Sequence, residues 1–80
     1  MNRPLRPFLV FAFESTHEAM NAEDALRAAF VQVVPIPTPT TLGGLCGLAM
    51  RVPPEESDRA REVLAGAGIP PRAETVIDDF

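Results

Sequence analysis

Cys46 is the only cysteine of the chain, and it sits in the stretch Thr40-Thr41-Leu42-Gly43-Gly44-Leu45-Cys46-Gly47-Leu48-Ala49-Met50. One thiol forms no internal disulfide and supplies no two-thiolate metal site, so any chemistry centred on it is single-thiol chemistry. A reactive thiol needs access and nearby positive charge or amide donors, whereas an inert one needs only an apolar pocket. Gly43, Gly44 and Gly47 favour the first case, because a backbone without Cβ atoms lets main-chain amides approach closely. They equally suit a simple turn.

A second group lies about thirty residues upstream, at Ser15-Thr16-His17-Glu18. Ser15 and Glu18 have the spacing of a capping box, which places them at the start of a helix. The N-terminus of a helix presents unpaired N–H groups and about half a positive charge, and both stabilise a thiolate. His17 can add positive charge or shuttle a proton. Arg72 is a weaker candidate for the same end of the molecule. Each residue also has a purely structural reading: Cys46 as a small core hydrophobe, Ser15 as a cap, Thr16 and His17 as solvated first-turn residues.

The elements that would bring these groups together are legible along the chain. Phe8 to Phe13 is a short apolar run that predicts a strand buried on both faces, with residues 1–6 as a frayed terminus. Ala19, Ala22, Leu26, Ala29 and Phe30 then recur at helical spacing and predict a helix over 16–29. Val31 to Ile36 is β-branched and bounded by Pro35 and Pro37, which predicts a second strand at a sheet edge. The Pro- and Gly-rich residues 37–44 form a loop. Leu45 to Val52 is a third strand, with Cys46, Leu48, Met50 and Val52 on its core face. Pro53-Pro54-Glu55-Glu56 opens a second helix that ends at Gly66 or Gly68, and Arg72 to Ile77 is the last strand.

The order β-α-β-β-α-β predicts one α+β domain over 1–80, of the ferredoxin-like split β-α-β arrangement, with two helices on one face of a four-stranded sheet. Right-handed crossovers make strands 1 and 2 parallel, with strand 3 antiparallel between them. Strand 3 then starts at the end of the sheet where strand 1 stops and helix 1 begins. Cys46 is thus expected to begin strand 3 beside Ser15, Thr16 and His17.

Composition excludes several classes. The net charge is −4, there is no Lys, and the seven arginines are scattered. An acidic chain without a basic stripe is a poor nucleic-acid binder. No apolar stretch approaches the roughly 20 residues that cross a bilayer. Arginines before the 8–13 run superficially suggest a signal peptide, but the run is short and ends in Glu14, so a cytoplasmic location is expected, where a free thiol stays reduced.

These residues carry a family likeness. The chain resembles a family of small bacterial proteins described as selenium/sulfur carriers, over about residues 8–75. The likeness rests on Ser15-Thr16-His17-Glu18-Ala19, Ala22-Glu23, Ile36-Pro37-Thr38-Pro39 and Cys46-Gly47-Leu48-Ala49. Serines often precede the cysteine in that family, whereas Gly44 and Leu45 stand here. The resemblance implies a carrier rather than a turnover enzyme. It would hold sulfur or selenium on Cys46 and exchange it with donor and acceptor proteins, with no metal or organic cofactor.

The alternative from another class is a ferredoxin-like interaction or ligand-sensing module with a structural cysteine. A thiol redox sensor is a third reading. Strand 1 is apolar on both faces while helices cover one, so a homodimer or docked partner is expected on the other.

Overall fold

The computed structural model describes residues 5–42 and 47–79, the last of these by its backbone alone. The elements are β1 (Arg6–Ala12), α1 (Thr16–Ala28), β2 (Val34–Pro37), β3 (Leu48–Val52), α2 (Ser57–Gly66) and β4 (Ala73–Asp79). Short 3-10 turns occupy Thr40–Leu42 and Pro54–Glu56. The four strands form one sheet in the order β2-β3-β1-β4, and every pairing is antiparallel. This is the expected α+β ferredoxin-like arrangement.

β1 is central because it alone is apolar at every position from Phe8 to Phe13, and all six side chains are buried. On one face Leu9, Phe11 and Phe13 join Met50 and Val52 of β3 and pack against Ala19, Ala22 and Leu26 of α1 and Ala60 and Leu64 of α2. The alanines let the helices lie close to the sheet. On the other face Phe8, Val10, Ala12 and Ala49 are buried as well. The Phe8 ring carries the Arg51 guanidinium 4.3 Å from its centre and that of Arg6 at 5.2 Å, a cation–π arrangement that shields the ring. The apolar side chains of β1 on that face are therefore already buried within the single chain.

Several boundaries differ from expectation, among them β4, which runs Ala73–Asp79 rather than Arg72 to Ile77. Arg6 belongs to β1, pairing with Asp79, so the chain is ordered from before the anticipated start. β2 begins at Val34 because the amides before it are engaged elsewhere: Val31 donates to the Leu26 carbonyl at 3.0 Å and Gln32 to the Glu56 carboxylate at 3.0 Å. The first of the described β3 residues is Leu48; Leu45 and Cys46, placed in that strand by periodicity, lie outside the described residues. Pro54–Glu56 is a 3-10 turn that leads into α2.

Both helices stop in the same way. After α1, Phe30 donates to the Arg27 carbonyl at 3.0 Å and Val31 to that of Leu26; after α2, Gly68 donates to Ala65 at 3.1 Å and Ile69 to Leu64 at 2.9 Å. This pattern is the Schellman motif, which needs a left-handed residue. Gly68 fills that position with φ 75°, whereas Phe30 fills it with φ 61°. A Cβ there meets the following carbonyl, and Phe30 gains no burial in return, being 88% exposed.

The two sheet edges are unlike. Thr38 donates to the Gly47 carbonyl at 3.1 Å, so even-numbered residues of β2 turn their amides toward β3 and odd-numbered ones away. Pro35 and Pro37, which have no N–H, occupy the outward positions. The opposite edge, β4, contains no proline.

Candidate functional site

Register fixes which groups share the end of the sheet where α1 begins. Ala12, the last residue of β1, pairs with Ala49, the second of β3. Gly47 and Thr38 lie just beyond, joined by their backbone hydrogen bond. Gly47 is exposed, and a side chain added to it would meet nothing within 4 Å. Of the residues singled out from sequence, Ser15, Thr16, His17 and Gly47 are described, and β1, β3 and α1 bring their backbones to one end. Cys46, Gly43 and Gly44 lie outside the described residues.

Ser15 caps α1 as its sequence predicts. Its Oγ accepts from the Glu18 amide at 3.1 Å. The return contact differs from the usual box: Glu18 Oε1 accepts from the Glu14 amide at 3.4 Å, one residue before the cap. Thr16 and His17 form the first turn with exposed side chains. Their amides have no acceptor within the helix, as geometry requires of first-turn N–H groups.

The electrostatics of this end are mixed rather than simply positive. Arg72 Nη2 lies 3.2 Å from a Glu14 oxygen and 3.8 Å from a Glu18 oxygen. Its backbone amide donates to the Ala12 carbonyl at 2.9 Å, although Ala12 pairs with Ala73. Two residues thus oppose one, a β-bulge at the start of β4 that holds Arg72 against the α1 cap. A groove of about 400 Å³ runs beside it, lined by Glu18, Asn21, Gly68, Ile69, Pro70 and Arg72. Sequence reasoning placed Arg72 here but missed Glu14 and the second role of Glu18. The signal was present, since a lone acid between a strand and a capping box must emerge at that end.

The arrangement supplies free first-turn amides, a solvated imidazole and an open backbone at Gly47. Two carboxylates share a single guanidinium. It can hold a small anionic group near the helix start, against the opposing influence of Glu14 and Glu18.

The family model described as "Putative Se/S carrier protein-like" matches residues 8–74, nearly the whole chain, and the protein belongs to that family. No curated protein matches it. A carrier family implies donor and acceptor partners. No helix among the described residues is long and apolar enough to cross a membrane.

Proposed function

We propose that the protein carries sulfur or selenium on Cys46. The observation that carries this reading is the family match over residues 8–74, which spans the chain's one thiol. The Cys46 thiolate attacks the outer sulfur of a donor persulfide. A bond forms from Cys46 Sγ to that sulfur, the donor's S–S bond breaks, and the donor leaves as a thiolate. An acceptor nucleophile then attacks the outer sulfur, and Cys46 departs as a thiolate. Neither step changes the net oxidation level. Selenium follows the same path as a selenosulfide. With no second cysteine in the chain, resolution to an internal disulfide is closed, so transfer is intermolecular.

The surroundings of Gly47, the next residue along, support access for a partner. The unpaired amides of Thr16 and His17 at the same sheet end support an anionic cargo. Ser15, His17, Gly43 and Gly44 serve as supporting groups in this reading.

The test is persulfide transfer from a cysteine desulfurase, read by mass. The wild type gains one sulfur on Cys46, and Cys46→Ser gains none while keeping its fold. Alkylation of the folded protein rises with pH to a plateau whose midpoint lies below about 8.5. A thiol that alkylates only after unfolding marks Cys46 as a packing residue. The interaction-module reading then stands in place of the carrier.

A further inference from the structure

Alternation carried across the sheet from the Thr38–Gly47 bond turns the amides of Glu74, Val76 and Asp78 away from β1, toward solvent. Among the described residues nothing pairs with this edge of β4. An open edge with unpaired N–H and C=O groups is a template for another strand. Here it runs the length of Ala73–Asp79, without proline and with Thr75-Val76-Ile77 at its centre, β-branched residues that favour an extended backbone. Its pairing with β1 along seven residues holds it in place.

The side chains state which strand would fit. Glu74, Val76 and Asp78 pair with Phe11, Leu9 and Pro7, so they share the helix-side face. Val76 is 61% exposed. Glu74 is held by Arg61 at 3.0 Å, while Asp78 has no ion pair among the described residues. The edge therefore displays acid, apolar and acid at alternate positions. A second copy of this chain fits poorly, because antiparallel self-pairing centred on Val76 sets Glu74 against Asp78 of the other copy twice over. Like charges directly opposite destabilise a strand pair.

We propose that the free edge of β4 takes up an extended segment of another protein as a fifth strand, one that presents basic, apolar and basic residues at alternate positions. Main-chain bonds to Glu74, Val76 and Asp78 supply the affinity, and the two carboxylates set the preference. The surface involves no thiol and stands whether or not Cys46 carries a chalcogen.

The test uses the intact 15N-labelled chain and a blocked heptapeptide, Thr-Arg-Thr-Val-Thr-Arg-Thr. Saturable amide shifts are expected at Glu74, Val76 and Asp78, approaching completion by about 1 mM peptide and weakening with added salt. A peptide with Glu in place of both Arg does not bind. Val76→Pro removes an outward N–H without touching the ladder to β1, and lowers affinity at least about tenfold. Should that variant unfold, Asp78→Lys serves instead: it weakens the arginine peptide and admits the glutamate one. The proposal is overturned by an absence of shifts at β4, by equal binding of both peptides, or by sedimentation showing that β4 already pairs with a second copy.

Discussion

At the scale of single residues, Ser15 and Glu18 show how one short motif serves two neighbours. Ser15 Oγ satisfies the Glu18 amide, and the Glu18 carboxylate satisfies the Glu14 amide and faces Arg72. Ser15→Ala leaves the Glu18 amide without its acceptor and is expected to cost about 0.5–2 kcal/mol, measured by urea denaturation. Ser15→Asp should retain most of that stability, since aspartate caps equally well. A loss as large for aspartate as for alanine would show that the hydroxyl proton, not the acceptor, is what matters. In the proposed carrier reading, which sets Cys46 beside this cap, the first-turn amides favour its anion while Glu14 and Glu18 oppose it, and the midpoint of Cys46 alkylation reports the balance.

At the scale of elements, the two helix ends form an internal comparison. The same hydrogen-bond pattern closes both, with Gly68 in one and Phe30 in the other. Phe30→Gly should raise stability by about 1 kcal/mol, because the left-handed position no longer strains a Cβ. Gly68→Ala should lower it by a similar amount. Thermal or urea unfolding of the pair checks both, and a destabilised Phe30→Gly would mean that the ring packs where the structure leaves it open. These ends also show what could be read in advance. Gly68 announced its turn by its residue type. Phe30 continues the apolar spacing of α1 one residue past its expected end at 29, and nothing in its chemistry signals a positive φ. The apolar run of β1, the alanine-rich faces of the helices and the β-α-β-β-α-β order were legible because burial imposes a period on them. The start of β2 was not, because it depends on a carboxylate 24 residues away, Glu56, taking the Gln32 amide. The convergence of Ser15, His17 and Arg72 followed from crossover handedness. The Glu14 contact needed side-chain geometry.

At the scale of the whole molecule, charge pairs tie elements that are distant in sequence. Arg6 Nη2 donates to both oxygens of Glu55, at 2.8 and 2.7 Å, linking the start of β1 to the turn before α2. The hydrogen bond from Arg6 holds the Glu55 carboxyl below its ordinary value of 4.5. A carboxyl depressed on folding stabilises the fold above its unfolded value, and that contribution fades as pH falls through the folded value. Urea midpoints of wild type and Arg6→Gln should therefore differ by a constant amount from neutral pH down to about 5 and converge as the pH falls through the lowered Glu55 value. Parallel curves throughout would show that the pair contributes nothing measurable, as many exposed pairs do. The unlike sheet edges carry a consequence for stoichiometry. Indefinite head-to-tail growth of a sheet requires every molecule to offer two complementary open edges. With Pro35 and Pro37 closing one side, each molecule can terminate a growing stack of strands but cannot relay it. A strand added at β4 thus ends in a one-to-one complex, and the sheet is kept from seeding a fibre.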